Sequence, residues 1–190
     1  MTDKENLRKI AMEARHNINA EMRHVFECSI AEHFQGIIPH IQGQSIALYN
    51  AIRGEVRCDS LRDIINASGY KIGLPVVADR DEPLVFRLFQ GSDKMKVGYV
   101  GIREPDETCL TILPDIVCTP LLAFDENGGR LGYGAGHYDR SFIAMREQGH
   151  SPLKIGLAFE CQKFDHIPCE AHDQPLDYVI TENKVYNFKR

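Results

Sequence analysis

Residues 115–159 read DIVCTPLLAFDENGGRLGYGAGHYDRSFIAMREQGHSPLKIGLAF. Asp115–Thr119 is a short apolar run of strand type. Asp139–Gln148 carries Phe142, Ile143 and Met145 in a helical pattern and is closed by Gly149. Lys154–Phe159 is strand-like again. A strand, then a helix, then a strand argues an α/β fold with a largely parallel sheet and helices on both faces. The same alternation continues outward. Toward the N-terminus, Leu84, Phe86 and Leu88 alternate as in a half-buried strand, and Lys71–Leu74 is a strand ended by Pro75. Asp59–Ser68 reads as a helix with Leu61, Ile64 and Ile65 inward, and Ser45–Tyr49 as a strand. The first 35 residues read as helix, with Thr2 or Asp3 as cap, a break at Asn17–Asn19 and a stop at Gly36. Toward the C-terminus, Tyr178–Thr181 is a further strand. The alternative is an α+β arrangement, with Leu84–Phe89 and Tyr99–Ile102 paired as an antiparallel insert.

The 190 residues predict one domain, spanning 1–190, and 43% hydrophobic content is enough for a core. With 22 basic and 27 acidic residues the net charge is −5, so nothing global drives the chain toward nucleic acid or an anionic membrane. No apolar run reaches the roughly 18–20 residues of a membrane span. MTDKENLRKI has no apolar stretch behind its charges and is not a secretory signal, so the expected location is the cytoplasm. Cys28, Cys58, Cys109, Cys118, Cys161 and Cys169 form no CxxC pair and are expected to be free thiols.

Five of the 15 glycines (Gly128, Gly129, Gly132, Gly134 and Gly136) fall within nine residues. Such clustering marks backbone that turns tightly or approaches something closely. Loop amides followed by a helix start form an anion site, and Arg130 and Arg140 flank it with fixed charge suited to phosphate oxygens. The simpler reading is a plain strand-to-helix turn. A dinucleotide fingerprint fails because position 137 is His137, and a Walker A loop fails because Ala135 and Gly136 follow Gly134 where GK[ST] is required.

RLGYGAGHYDR resembles the signature of the 5-formyltetrahydrofolate cyclo-ligase family, also called 5,10-methenyltetrahydrofolate synthetases, usually close to RLGxGxGYYDR. The resemblance extends over nearly the whole chain: Lys4 and Arg8 as KxxxR, Glu55 in YNAIRGEV, Leu74-Pro75, GIREP at 101–105, TPLLAFDENGGR, KIGLAF, and HDQPLDYVIT at 172–181. His137 stands where the family usually has tyrosine, and Ala135 where it has glycine or lysine. The resemblance implies a Rossmann-like three-layer domain and an ATP-dependent cyclisation of 5-formyltetrahydrofolate to 5,10-methenyltetrahydrofolate, with release of ADP and phosphate. It implies ATP contacts from Lys4, Arg8, Arg130, Leu131, Gly132, Tyr133, Gly134, Ala135, Gly136, His137, Tyr138 and Arg140. Folate contacts are expected from Asn50, Glu55, Tyr133, Gly134, Ala135, Gly136 and His137. Asp139 and Asp173 are expected to hold Mg²⁺. No residue is assigned as a covalent nucleophile, and the protein is expected to be a monomer.

Each of these residues also has a simpler reading. Lys4 and Arg8, four apart on one helix face, suit a solvated charged surface; Asp139 suits a helix cap; Asp173 suits a turn before Pro175; Glu55 suits the surface; Tyr133, His137 and Tyr138 suit core packing. A nucleotide-binding module without catalysis fits the same motifs. His166, Cys169 and His172, spaced three apart, form a zinc alternative.

Overall fold

The computed structural model describes residues 3–91, 93–98 and 101–189. Helix α1 (Asp3–His16) ends before the expected break, and α2 (Ala20–Ile37) begins at Asn19, whose side chain accepts the Met22 amide at 2.8 Å. Thr2, one of the two expected caps of α1, lies outside the described residues. Next come β1 (Ser45–Ala47), α3 (Asp59–Ala67), β2 (Lys71–Val76), β3 (Val85–Leu88), the hairpin β4 (Met95–Val97) and β5 (Arg103–Pro105), and β6 (Thr111–Ile112). The chain continues through β7 (Ile116–Pro120), β8 (Ala123–Phe124), β9 (Arg130–Leu131), α4 (His137–Glu147), β10 (Leu153–Leu157), β11 (Tyr178–Ile180) and β12 (Val185–Asn187).

Eight strands form one sheet in the order β12-β11-β10-β7-β1-β2-β3-β6. The strands from β11 to β2 pair in parallel, and the antiparallel strands sit at the edges: β12 on β11, β3 on β2, and β6 on β3. The antiparallel pairing of the α+β alternative is not the one observed. β3 pairs with β2 and β6, whereas Arg103–Pro105 pairs with Met95–Val97; Tyr99 and Val100 lie outside the described residues. Pro75 does not end β2. It lies beyond Gly73, the last partner of β1, so its missing N–H removes nothing from that ladder.

Alternate residues point to opposite faces. Ile46, Ile116, Cys118, Ile155 and Leu157 pack with Ile30 and Phe34 of α2 and Leu61 and Ile65 of α3. Ala47 and Val117 face the other way, against Phe142 and Met145 of α4. Helices therefore cover both faces, as the alternating pattern predicts. Helix α1 buries Ala11 against Leu122, Ala123, Leu131 and Ile167, at the end of the sheet where the loops gather. Among the described residues no helix is long and apolar enough to cross a membrane, and all six cysteines are free thiols.

Candidate functional site

Counted along the chain, the five parallel strands have the spatial order 2-1-3-4-5, which reverses between β1 and β7. Ligands of open α/β sheets bind outside the carboxyl ends of the strands at such a reversal. A cavity of about 590 Å³ opens there. Its walls come from the segment after β1 (Tyr49, Asn50, Arg53, Glu55), the end of β2, the loop after β7, Lys4 and Arg8 of α1, Ile102 and Glu104 of the hairpin, and Glu170, His172 and Asp173.

The glycine-rich loop lies along this cavity. Gly134 has φ +99°, and a Cβ there would sit 3.3 Å from the Arg8 guanidinium, so the arginine presses onto bare backbone. Arg8 Nε donates to the Gly132 carbonyl at 3.0 Å. Gly136, at φ 69°, precedes α4, which starts at His137, two residues earlier than the sequence pattern indicates, and no side chain caps it. The first-turn amides of α4 therefore have no side-chain cap where an anion would sit.

Lys4, Arg8, Arg130, Leu131, Gly132, Tyr133, Gly134, Ala135, Gly136, His137 and Tyr138 all line the cavity, as do Asn50, Glu55, Asp139 and Asp173. Arg140 does not. Its guanidinium folds back against Gly136, where a Cβ would lie 2.8 Å from it, donates to the Arg80 carbonyl at 2.7 Å and meets His137 Nδ1 at 3.2 Å, so it stands beside the loop and not in the cavity wall. Asn50 Nδ2 donates to the Arg103 carbonyl at 2.6 Å and so ties the hairpin to the loop after β1. Tyr138 belongs largely to the core, packing on Phe142 with ring centroids 6.3 Å apart. His137 titrates below its ordinary range because it is partly buried and because Arg140 adds positive charge, against the raising pull of the Glu82 carbonyl.

The two expected metal ligands both line the cavity. Asp139 Oδ1 accepts from Arg130 at 2.7 Å and from the Gln174 amide at 2.8 Å. Asp173 Oδ2 accepts from Lys4 at 3.0 Å and from the Glu170 amide at 2.8 Å. Burial works to raise the Asp173 pKa, but the Glu170 amide and Lys4 bring it below the ordinary carboxylate value. Among the described residues Asp139 Oδ2 has no hydrogen bond and Asp173 Oδ1 has only His172 at 3.8 Å. Two hard oxygen donors with one oxygen each to spare suit a Mg²⁺ that takes its other ligands from phosphate and water. The zinc alternative is not assembled: among the described residues no group of three or more His, Cys, Asp or Glu side chains is placed to hold a metal.

Glu55 is 5% exposed and accepts the Ile52 amide at 2.9 Å. Burial raises its pKa from 4.5 to about 7, against lowering by that amide and by Arg15 and Arg53. It is a buried carboxylate at a cavity wall, not a surface glutamate.

The profile of the 5-formyltetrahydrofolate cyclo-ligase family matches residues 1–182. The chain belongs to the 5-formyltetrahydrofolate cyclo-ligase family. A cyclo-ligase of this name from Haemophilus influenzae is 33% identical over 182 residues, covering 93% of this chain and 96% of that protein. The solved 5,10-methenyltetrahydrofolate synthetase of Aquifex aeolicus superposes with a TM-score of 0.83 at 28% identity, covering 100% of this chain and 94% of that one. The synthetase from Mycoplasma pneumoniae gives 0.76 at 25% identity, covering 95% and 99%.

Sequence reasoning missed two residues that line this cyclo-ligase cavity and one that lies behind its wall. Glu104, 3% exposed, faces it from β5, and only its place in GIREP marks it. Arg53, at φ 49°, is a non-glycine residue in left-handed backbone, marked only by its place in YNAIRGEV. Arg15 is 2% exposed and lies behind Tyr133. Its signal was available: 4, 8, 11 and 15 form one helical stripe, and a charge continuing a stripe past buried Ala11 points inward.

Proposed function

We propose that this chain cyclises 5-formyltetrahydrofolate to 5,10-methenyltetrahydrofolate at the expense of ATP, releasing ADP and phosphate. The observation that carries this reading is one cavity lined by two chemically different sets of groups: glycine-loop amides, Arg8 and the start of α4, which we read as its phosphate end, and the buried carboxylate of Glu55, which we read as its pterin end. The first end suits the triphosphate. Loop amides and the helix start accept phosphate oxygens, while Lys4, Arg8 and Arg130 balance their charge. The second suits a pterin edge, whose adjacent N–H groups match two carboxylate oxygens.

Holding both substrates in one cavity brings the formyl oxygen to the γ-phosphorus. The formyl oxygen attacks, ADP departs, and the iminium phosphate so formed is closed by the neighbouring anilino nitrogen of the same folate. Phosphate leaves with the former formyl oxygen, and the nitrogen loses its proton. The formyl carbon is an amide carbon and a poor electrophile, so activation by phosphorylation is what permits ring closure. The protein's part is positioning and charge stabilisation, with no covalent nucleophile. Asp139 and Asp173 would hold Mg²⁺, which when bound neutralises phosphate oxygens. Until then Arg130 and Lys4 pair with these carboxylates.

The test is spectrophotometric, because the methenyl product absorbs where formyl-folate does not. ATP, Mg²⁺ and 5-formyltetrahydrofolate are expected to give product with this protein. Tight ATP binding without product would replace this reading by a nucleotide-binding module.

A further inference from the structure

We propose that Arg15 is a positioning residue of the folate end of the cavity, fastening the Arg53–Glu55 turn and Tyr133 of the glycine loop into one frame. Arg15 is nearly fully buried, at 2% exposure, yet among the described residues it forms no salt bridge, and the carboxylate that feels its charge is Glu55. A buried cation that forms no direct ion pair is costly, so simple packing does not account for it. Among the described residues its side chain bonds two loops that line the cavity and the chain just after β7. One terminal nitrogen donates to the Arg53 carbonyl at 2.8 Å and to the Tyr133 hydroxyl. The other donates to the Leu121 carbonyl at 3.3 Å, just after β7. Two guanidinium groups lie over the Tyr133 ring, that of Arg15 at 5.9 Å and that of Arg53 at 5.2 Å from its centroid.

The turn it holds is closed by the Glu55 amide on the Ile52 carbonyl at 2.9 Å, but its two central residues need outside support. Arg53 at φ 49° and Gly54 at φ 78° place two successive residues in left-handed backbone, a strained arrangement for an arginine. Arg15 anchors the carbonyl of the first, and Arg23 anchors the Gly54 carbonyl at 2.6 Å while also donating to the Arg15 carbonyl at 2.9 Å. Glu55 follows directly. Arg15 thus fixes the direction of Glu55 and supplies positive charge toward it from α1. The other groups facing Glu55 are Arg53 of its own turn, Tyr49 after β1, Tyr138 of α4 and Cys58 at the start of α3; of these only Arg53 is charged.

This rests on the proposed folate site, so the test has one readout without ligand and one with it. In ligand-free protein, carboxyl NMR with labelled glutamate, assigned through Glu55→Gln, follows the Glu55 titration. Calorimetry then follows 5-formyltetrahydrofolate binding without ATP from pH 6 to 8.5. Arg15→Met, close in volume but uncharged, is expected to raise the Glu55 midpoint by at least half a pH unit and weaken folate binding at least tenfold. Arg15→Lys keeps the charge but not the planar fork, so it is expected to leave the midpoint nearly unchanged and weaken folate binding severalfold. Tyr133→Phe is expected to weaken binding in the wild type but to add little to Arg15→Lys. A folded Arg15→Met with an unchanged Glu55 midpoint and folate affinity overturns the proposal. If Arg15→Met does not fold, Arg15→Lys with wild-type folate affinity and full additivity with Tyr133→Phe overturns it instead. A wild-type protein that binds no folate while its Glu55 midpoint still responds to Arg15 rejects the folate reading but keeps the positioning role.

Discussion

Glu55 trades stability for a charge at the site. Its folded pKa is raised from 4.5 to about 7, so the folded state holds the proton more tightly than the unfolded chain. The stabilisation is fully present below pH 4.5 and is lost as pH rises through 7, about 3 kcal/mol in all. Glu55→Gln is therefore expected to melt above the wild type at pH 8, with the gap closing by pH 5, while losing folate affinity. Melting curves at the two pH values check the sign. Asp139→Asn and Asp173→Asn are each expected to lower turnover roughly 10²–10³-fold and to raise the Mg²⁺ requirement. Their folding costs differ. Asp139→Asn leaves the Arg130 guanidinium, 7% exposed, without its ion pair and should cost about 1–3 kcal/mol. Asp173 pairs with the better hydrated Lys4, so its Asn variant is expected to melt near the wild type. A Mg²⁺ titration of turnover identical to the wild type removes Asp173 from the metal site. His137 lines the cavity from the first turn of α4, and His137→Tyr is expected to change the folate KM while leaving ATP affinity within a few-fold.

At the scale of elements, long helices and buried strands are legible and short strands are not. α2, α3 and the strands at 45, 71, 116, 153 and 178 have enough apolar residues for their period to show, within one to three residues at their ends. β6, β8 and β9 are two residues long, too short for any period, and exist only because a neighbouring strand offers bonds. The 125–131 turn is fixed by the reach of one side chain. Buried Asp125 accepts the amides of Asn127, Gly129 and Ile167 at 2.9 Å each. Gly128, at φ 78°, leaves no room for a side chain, since a Cβ would lie 2.7 Å from the Leu176 carbonyl oxygen. Gly128→Ala is expected to cost about 1–3 kcal/mol by left-handed strain and backbone contact, lowering Tm by roughly 2–12 °C. Because the same turn leads into Arg130, a thermal melt read beside ATP affinity should show both falling.

At the scale of the whole molecule, the cavity is walled by parts far apart in the chain: α1, the loops after β1 and β7, the hairpin and residues 170–173. A ligand touching all of them binds only the folded protein. ATP with Mg²⁺ at a hundred times its Kd is expected to stabilise by about 2.7 kcal/mol and raise Tm by roughly 5–10 °C. A scanning-fluorimetry titration without that rise removes the nucleotide from the cavity. The sequence by itself determined the alternation of strands and helices, the glycine loop with its helix, and the family signature, because each is written in residues close together along the chain. The tertiary structure alone decided that Arg140 bonds the Arg80 carbonyl, that Arg130 and Lys4 pair with Asp139 and Asp173, and that Arg15 lies buried behind Tyr133. Those outcomes depend on which groups meet across 9 to 169 residues of chain, and a charge shows no preference among such partners until the fold brings one within hydrogen-bonding distance.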